Sequence, residues 1–217
     1  MVSTNIRINF HVVSNINSME KLELRMYGLV PYNISPIQQG IQYGHAVVEY
    51  GQMVKYSGDK SLSEQYDDWA DNWKTFMIYN GGTSNHSQNR YHYFEESFTG
   101  SMEQNLKTLE ENGITVATFY EPDLNDMLSG IVFIVDERVF NKDKYPDFDL
   151  KKYYGDSKDK MKEAQDELDT NPMDPKFPSI YNLLGSNVRK DWDSWVDSIG
   201  GRKNLFLRLF LKNFRFA

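Results

Sequence analysis

The stretch LELRMYGLVPYNISPIQQGIQYGHAVVEY (22–50) passes from a strand pattern to a helix pattern within a few residues, and its reading decides the fold. LELR alternates apolar and polar side chains, and MYGLV is then continuously apolar apart from one glycine. That is the pattern of a strand entering a sheet covered on both faces. PYN (31–33) is turn chemistry. Ser35 followed by Pro36 is a helix start, with Ser as N-cap and Pro at the first helical position, where its missing N–H costs nothing. The helix is predicted to run to about Lys55. Ile41, Gly44, Ala46, Val48 and Met53 are read as its packing face, with Gly40 and Gly44 allowing close approach.

Working downstream, SLSEQYDDWADNW (61–73) reads as a short helix carrying Trp69 and Trp73 one turn apart. KTFMIYN (74–80) reads as the next strand, and GGTSNHSQN (81–89) as a turn. RYHYFEES (90–97) is an extended segment or extra strand. SMEQNLKTLEENG (101–113) is a helix, with Ser101 as cap, Gln104 at the capping-box position and Gly113 as terminator. ITVATFYE (114–121) and SGIVFIVDE (129–137) are strands on either side of the polar turn PDLNDML (122–128). Strands separated by helices predict an α/β fold, with a mixed, mostly parallel central sheet and helices on both faces.

The core domain is then expected over residues 1–140. Residues 141–185 read as a polar insertion or linker with little core and one solvated helix near 156–168. Residues 186–217 read as a helical C-terminal extension. In that extension Phe206, Phe210 and Phe214 recur every four residues and are read as docking onto the domain. Arg202, Lys203, Arg208, Lys212 and Arg215 fall in a stretch without Asp or Glu and are the candidate nucleic-acid or partner contacts.

Composition removes several classes of function. Of 217 residues 40% are hydrophobic and 25% charged, enough for a sizeable core. The absence of cysteine rules out disulfides, thiol catalysis and Cys-bound zinc. The formal net charge of −7 disfavours general attraction to nucleic acid and leaves a local basic patch as the only route to it. The four histidines, His11, His45, His86 and His92, show no metal-ligand spacing, so no metal and no cofactor is expected. No GxSxG, GxxxxGK[ST] or GxGxxG motif occurs. With no secretory signal pattern and no apolar run of about 18 residues, neither secretion nor a membrane span is expected, which makes the cytoplasm the predicted compartment.

What can carry chemistry is a polar stripe on the first helix, Gln38, Gln42, His45 and Glu49, and an acidic turn, Glu121, Asp123, Asn125, Asp126 and Ser129. The stripe follows from 3.6-residue periodicity, and strand-end turns are where α/β folds place sites. Turn formation and a solvated helix face are the structural readings of the same residues.

The Gln42–His45–Ala46 helix in IQYGHAVVEY, the segment ENGITVATFYEPDLND (111–126) and Ser129 before GIVFIVDE occur in an order that resembles the type 2 peptidyl-tRNA hydrolase family, specifically its divergent phage and bacterial relatives. The match covers residues 22–137. The resemblance implies that family's α/β fold and an ester hydrolase acting on peptidyl- or aminoacyl-tRNA. It makes His45 and Asp123 the candidate acid–base or water-orienting residues, supported by Gln38, Gln42, Asn125, Asp126 and Ser129. The family's helix start is rich in Gly and Lys, whereas this chain has Ser35, Pro36, Ile37 and Gln38 there, so the lysine that would steady charge on the ester carbonyl is missing. That departure motivates the alternative, a catalytically inactive phage-encoded module that binds a host protein or nucleic acid in the host cytoplasm. Oligomeric state stays open.

Overall fold

The computed structural model describes residues 21–84, 100–168 and 186–217. His11, His86, His92, the extended segment at 90–97 and the linker from 169 to 185 lie outside the described residues.

Among the described residues four strands form one mixed sheet in the order β2-β1-β4-β3. Strand β1 (Leu24–Pro31) lies parallel to β2 (Thr75–Gly82), with Arg25 opposite Thr75 and Val30 opposite Asn80. It runs antiparallel to β4 (Met127–Asp136), with Leu24 opposite Asp136 and Leu29 opposite Ile131. Strand β3 (Ala117–Glu121) pairs antiparallel with β4. The sheet is therefore mixed as expected but not mostly parallel, since only the β1–β2 pairing is parallel. The reason is the connections. Helices bridge β1 to β2, as a parallel crossover requires, whereas the turn at 122–126 is too short for anything but antiparallel pairing of β3 with β4. At the far edge of β2 residues 215–217 add a short antiparallel bridge: Asn80 N–H donates to Arg215 O at 2.9 Å, and the Phe216 ring stacks on Tyr79 at 4.7 Å.

Helix α1 (Pro36–Ser57) covers one face. Ser35 Oγ accepts from Gln38 N–H at 3.3 Å while Gln38 Oε1 accepts from Ser35 N–H at 3.1 Å, a reciprocal capping box, and Gly58 ends the helix at φ 69°. Met26, Val30, Val132 and Ile134 of the sheet meet Tyr43, Ala46, Tyr50 and Val54 of the helix. The expected packing face is thus rotated. Ala46 is buried, but Val48 is 61% exposed, Ile41 49% and Ile37 78%, and nothing lies within 4 Å of where a Cβ on Gly40 or Gly44 would be. Two tyrosine rings decide the azimuth. An aromatic side chain buries roughly 150–250 Å² and so removes more surface from water than an Ile or Val in the same place. Tyr43 can be buried because its hydroxyl donates to Met26 O at 2.7 Å and its ring lies over Gly28, where a Cβ would come within 2.3 Å of Cε2. Burial pushes the hydroxyls of both Tyr43 and Tyr50 up in pKa.

After α1 come α2 (Lys60–Asp68), capped by Asp59, and a π-helical turn (Trp69–Trp73) that seats Trp69 against β2, so the single helix expected over 61–73 is divided. The other face of the sheet, with Tyr27, Leu29, Leu128, Ile131, Phe133 and Val135, is covered by α3 (Ser101–Glu111) and by a C-terminal helix, whose Phe206, Leu207 and Phe210 are core. Helices lie on both faces, and the Phe206–Phe210–Phe214 stripe docks as read. Gly113 terminates the α3 turn at φ 68° as expected. The capping box at Ser101 and Gln104 does not form: the N-cap is Gly100, and Ser101 Oγ instead accepts from Thr83 N–H at 2.8 Å.

Beyond β4 lie α4 (Glu137–Phe140), α5 (Lys151–Tyr154), α6 (Lys158–Leu168), α7 (Ser186–Ser198) and α8 (Arg202–Leu211), the last supplying the C-terminal phenylalanines. The segment read as carrying little core contributes Leu150 and Ala164 to a third apolar cluster with Trp192, Val196, Ile199 and Leu205. No helix among the described residues is long and apolar enough to cross a membrane.

Candidate functional site

The site grows out of an irregularity in the β3–β4 ladder. Phe119 lies opposite Gly130 and Tyr120 opposite Leu128, so Ser129 is an extra residue, a β-bulge that aims its side chain at α1. Gly130 follows because α1 rests directly on the bulge: a Cβ there would sit 2.8 Å from Gln42 O and 2.9 Å from Ala46 Cβ. Gln42 is only 5% exposed and Ser129 is fully buried, so their polar groups need partners. Ser129 Oγ donates to Gln42 Oε1 at 2.8 Å, and Gln42 Nε2 donates to Glu121 Oε2 at 2.5 Å. The second bond settles the amide orientation, because a carboxylate accepts only, so Nε2 must face Glu121 and Oε1 must face the Ser129 hydroxyl. The other carboxylate oxygen, Glu121 Oε1, accepts from Asp123 N–H at 3.3 Å and caps the short 3₁₀ turn Pro122–Leu124. The turn closes on Asn125 and Asp126, both left-handed at φ 56° and 53°, a conformation these side chains tolerate better than others.

A four-residue chain therefore runs Ser129–Gln42–Glu121–Asp123 from the buried bulge to the exposed turn. His45 lies one helical turn from Gln42 on the same flank of α1, exposed, with its ring 4.5 Å from that of Phe119 on β3. Of the predicted polar stripe, Gln42 and His45 lie against β3. Asp123, Asn125 and Asp126 are exposed on the turn. Gln38, read as a binding residue, spends its side-chain oxygen on the helix cap. Glu121 was visible only as one member of the acidic turn, yet it joins the helix to the turn. Its signal was strand parity: two residues apart, Ala117, Phe119 and Glu121 share one face of β3, and Ala117 and Phe119 pack toward α1.

The basic residues do not gather at this site. Arg208 is 4% exposed and serves as a buried strut: Nε donates to Arg138 O at 2.8 Å, a terminal nitrogen donates to Tyr145 O at 2.5 Å, and another meets Asp147 Oδ1 at 3.0 Å. It is not a surface contact for nucleic acid, because burying α8 in the second face draws its polar side chain inward, where the guanidinium satisfies carbonyls that water cannot reach. Arg202, Lys203 and Lys212 are exposed on or just after α8, across the sheet from α1, and Arg215 lies in the bridge on β2, at the opposite edge from β3.

Chemically, the arrangement offers an accessible imidazole, an accessible carboxylate on a turn of fixed geometry, and a buried amide–hydroxyl pair that holds the two elements together. No group of three or more metal-ligating side chains occurs among the described residues. Comparison with known proteins finds no matching family model, no matching curated protein and no matching solved structure.

Proposed function

We propose that the chain is a divergent peptidyl-tRNA hydrolase-like protein that cleaves the ester of peptidyl- or aminoacyl-tRNA at the α1–β3 edge. The observation that carries this reading is the side chain of Gln42, which ties the helix bearing His45 to the turn bearing Asp123 through Glu121 and Ser129. In the proposed reaction His45 accepts a proton from a water oriented by Asp123. The water oxygen bonds to the acyl carbon, the ester C–O bond breaks, and the proton passes to the departing ribose oxygen. From Pro36 through Val54 the helix has no Lys or Arg. Loss of one charge-stabilising donor commonly lowers turnover about 10²- to 10³-fold, so slow catalysis is expected.

The test is release of peptide from a model peptidyl-tRNA by wild type, His45→Ala and Asp123→Ala. Wild type should exceed the buffer rate, and each variant should lose about 10²-fold or more with unchanged thermal stability, since both side chains are exposed. Equal rates for wild type and both variants refute the assigned roles.

A second reading, a non-catalytic module that binds a host protein, is favoured by the outward apolar side chains Ile37, Ile41 and Val48 on α1 together with the missing cation. Wild type that neither releases peptide nor binds tRNA at low salt selects it.

A further inference from the structure

Strand β3 pairs with β4 from Met127 to Val132 only, so among the described residues the end of β4 at Ile134 and Asp136 has no strand beside it on that edge. The gap is a cavity of about 160 Å³ where the two faces of the molecule meet. Tyr50 of α1 and Gln65 of α2 reach it from one side, Lys203 and Asn204 of α8 from the other, and Thr115 stands at the edge. It shares no residue with the site at His45.

Two of these side chains lack partners among the described residues. Tyr50 is 1% exposed, its hydroxyl makes no hydrogen bond, and that oxygen is not among the polar atoms enclosed completely, so its remaining exposure lies at the cavity. Burial alone raises its pKa, with no hydrogen bond to offset it. A hydroxyl taken from water without a partner costs free energy until something accepts from it. Lys203 is exposed on the first turn of α8, its Cε 3.4 Å from where a Cβ on Gly113 would be, and it forms no ion pair.

The carboxylate in the lining is already used. Asp136 Oδ1 accepts from Arg138 N–H at 2.9 Å and Arg138 Nε at 3.0 Å, and Oδ2 accepts from a terminal Arg138 nitrogen at 2.8 Å and from Asn204 Nδ2 at 3.0 Å. Arg138 matches its charge, which leaves Lys203 as the unbalanced charge of the cavity. Helix α8 adds to the same field. Its N-terminus at Gly201 carries no side-chain cap and its first turn no acidic residue, so the positive end of the helix dipole stays uncompensated beside Lys203. Lys203 and the dipole oppose a cation, and an apolar molecule leaves the Tyr50 hydroxyl unpaired. An oxyanion answers all three. At about 160 Å³ the cavity is about half the smallest of the roughly 300–1,000 Å³ drug-sized sites, so it suits inorganic phosphate, sulfate or a short carboxylic acid rather than a cofactor.

We propose that this cavity binds a small oxyanion, whose oxygens accept from the Tyr50 hydroxyl and the Lys203 ammonium, with the Gln65 amide and Thr115 hydroxyl at its mouth. The inference does not depend on the reaction proposed at His45. It is tested by thermal unfolding of the full chain titrated with phosphate, sulfate and acetate against chloride at matched ionic strength. An anion held only by the folded chain raises Tm in proportion to site occupancy, whereas general salt exclusion gives no half-saturation point. At least one of the three oxyanions should therefore show a saturable rise above chloride. Saturation by phosphate and sulfate identifies a tetrahedral anion, and saturation by acetate alone identifies a carboxylate. Lys203→Met and Tyr50→Phe, each checked for an intact fold by circular dichroism, should weaken the apparent affinity about tenfold or more, because hydrogen bonds to a charged group are the strong ones. Lys162→Met removes the same charge from an exposed position on α6, outside the lining, and should leave the affinity unchanged. The proposal is overturned by the absence of a saturable rise with every anion, by an equal loss in Lys162→Met, or by full retention of binding in both cavity variants. Because these readouts involve no peptidyl-tRNA turnover, their failure and the failure of the hydrolase reading are separable.

Discussion

Replacing Glu121 with Leu removes a side chain that joins α1 to the β3–β4 turn while keeping a similar volume. Gln42 Nε2, in a residue only 5% exposed, then loses its acceptor, and Asp123 N–H loses its cap. A hydrogen bond to a charged group contributes about 1.5–3 kcal/mol, and leaving a buried donor unpaired costs about 1–3 kcal/mol, two descriptions of largely the same loss. Losing a turn cap adds about 0.5–1 kcal/mol, the low end of helix-cap values, because the bond is long at 3.3 Å and exposed. The expected destabilisation is therefore about 2–4 kcal/mol. In urea titrations it should appear as a lower midpoint with an unchanged slope, and for a chain of this size each kcal/mol corresponds to about 2–4 °C in Tm. Glu121→Gln keeps an acceptor without the charge and should lose about 1 kcal/mol, which separates charge from hydrogen bonding. A double-mutant cycle with Gln42→Leu should give a coupling of at least about 1 kcal/mol. A Glu121→Leu loss below about 0.5 kcal/mol, or strictly additive effects in the cycle, refutes the tie between helix and turn.

Arg208→Met should destabilise by about 2–4 kcal/mol in the same titration, because the guanidinium satisfies the Arg138 and Tyr145 carbonyls from a buried position. A neutral outcome would refute its role as a strut. For Asp147, burial raises the carboxyl, but the hydrogen bond and charge of Lys142 and the charge of Arg208 outweigh it, so the folded pKa lies below the ordinary carboxylate value. A depressed pKa stabilises the fold above the unfolded value of about 3.9, and that stability is lost as pH falls through the folded value. Asp147→Asn should accordingly reduce stability at pH 7 by less than about 1 kcal/mol, since the side chain is half exposed, and the difference from wild type should close as pH falls below the depressed folded pKa. A difference that persists at low pH contradicts the assignment.

Local chemistry settled much of this molecule. Ser35 and Pro36 start α1, Gly113 closes the α3 turn, and the apolar runs read at 22–30 and 129–137 become the two central strands Leu24–Pro31 and Met127–Asp136, because caps, turns and burial on both faces are written in adjacent residues. The spacing of Gln38, Gln42 and His45 put them on one flank of the helix, since 3.6 residues per turn sets angles within a helix whatever surrounds it. The azimuth of that helix was a tertiary matter. Ile41, Gly44 and Val48 made as good an apolar face as Tyr43, Ala46 and Tyr50 on pattern alone, and the outcome turned on Gly28 in another element making room for the Tyr43 ring. The bulge that aims Ser129 and the inward turn of Arg208 were decided in the same way, by partners distant in sequence. Glu121 shows the division within one residue: its place in an acidic turn is local information, but its bond to Gln42, 79 positions away, exists only because β4 brings α1 and β3 together.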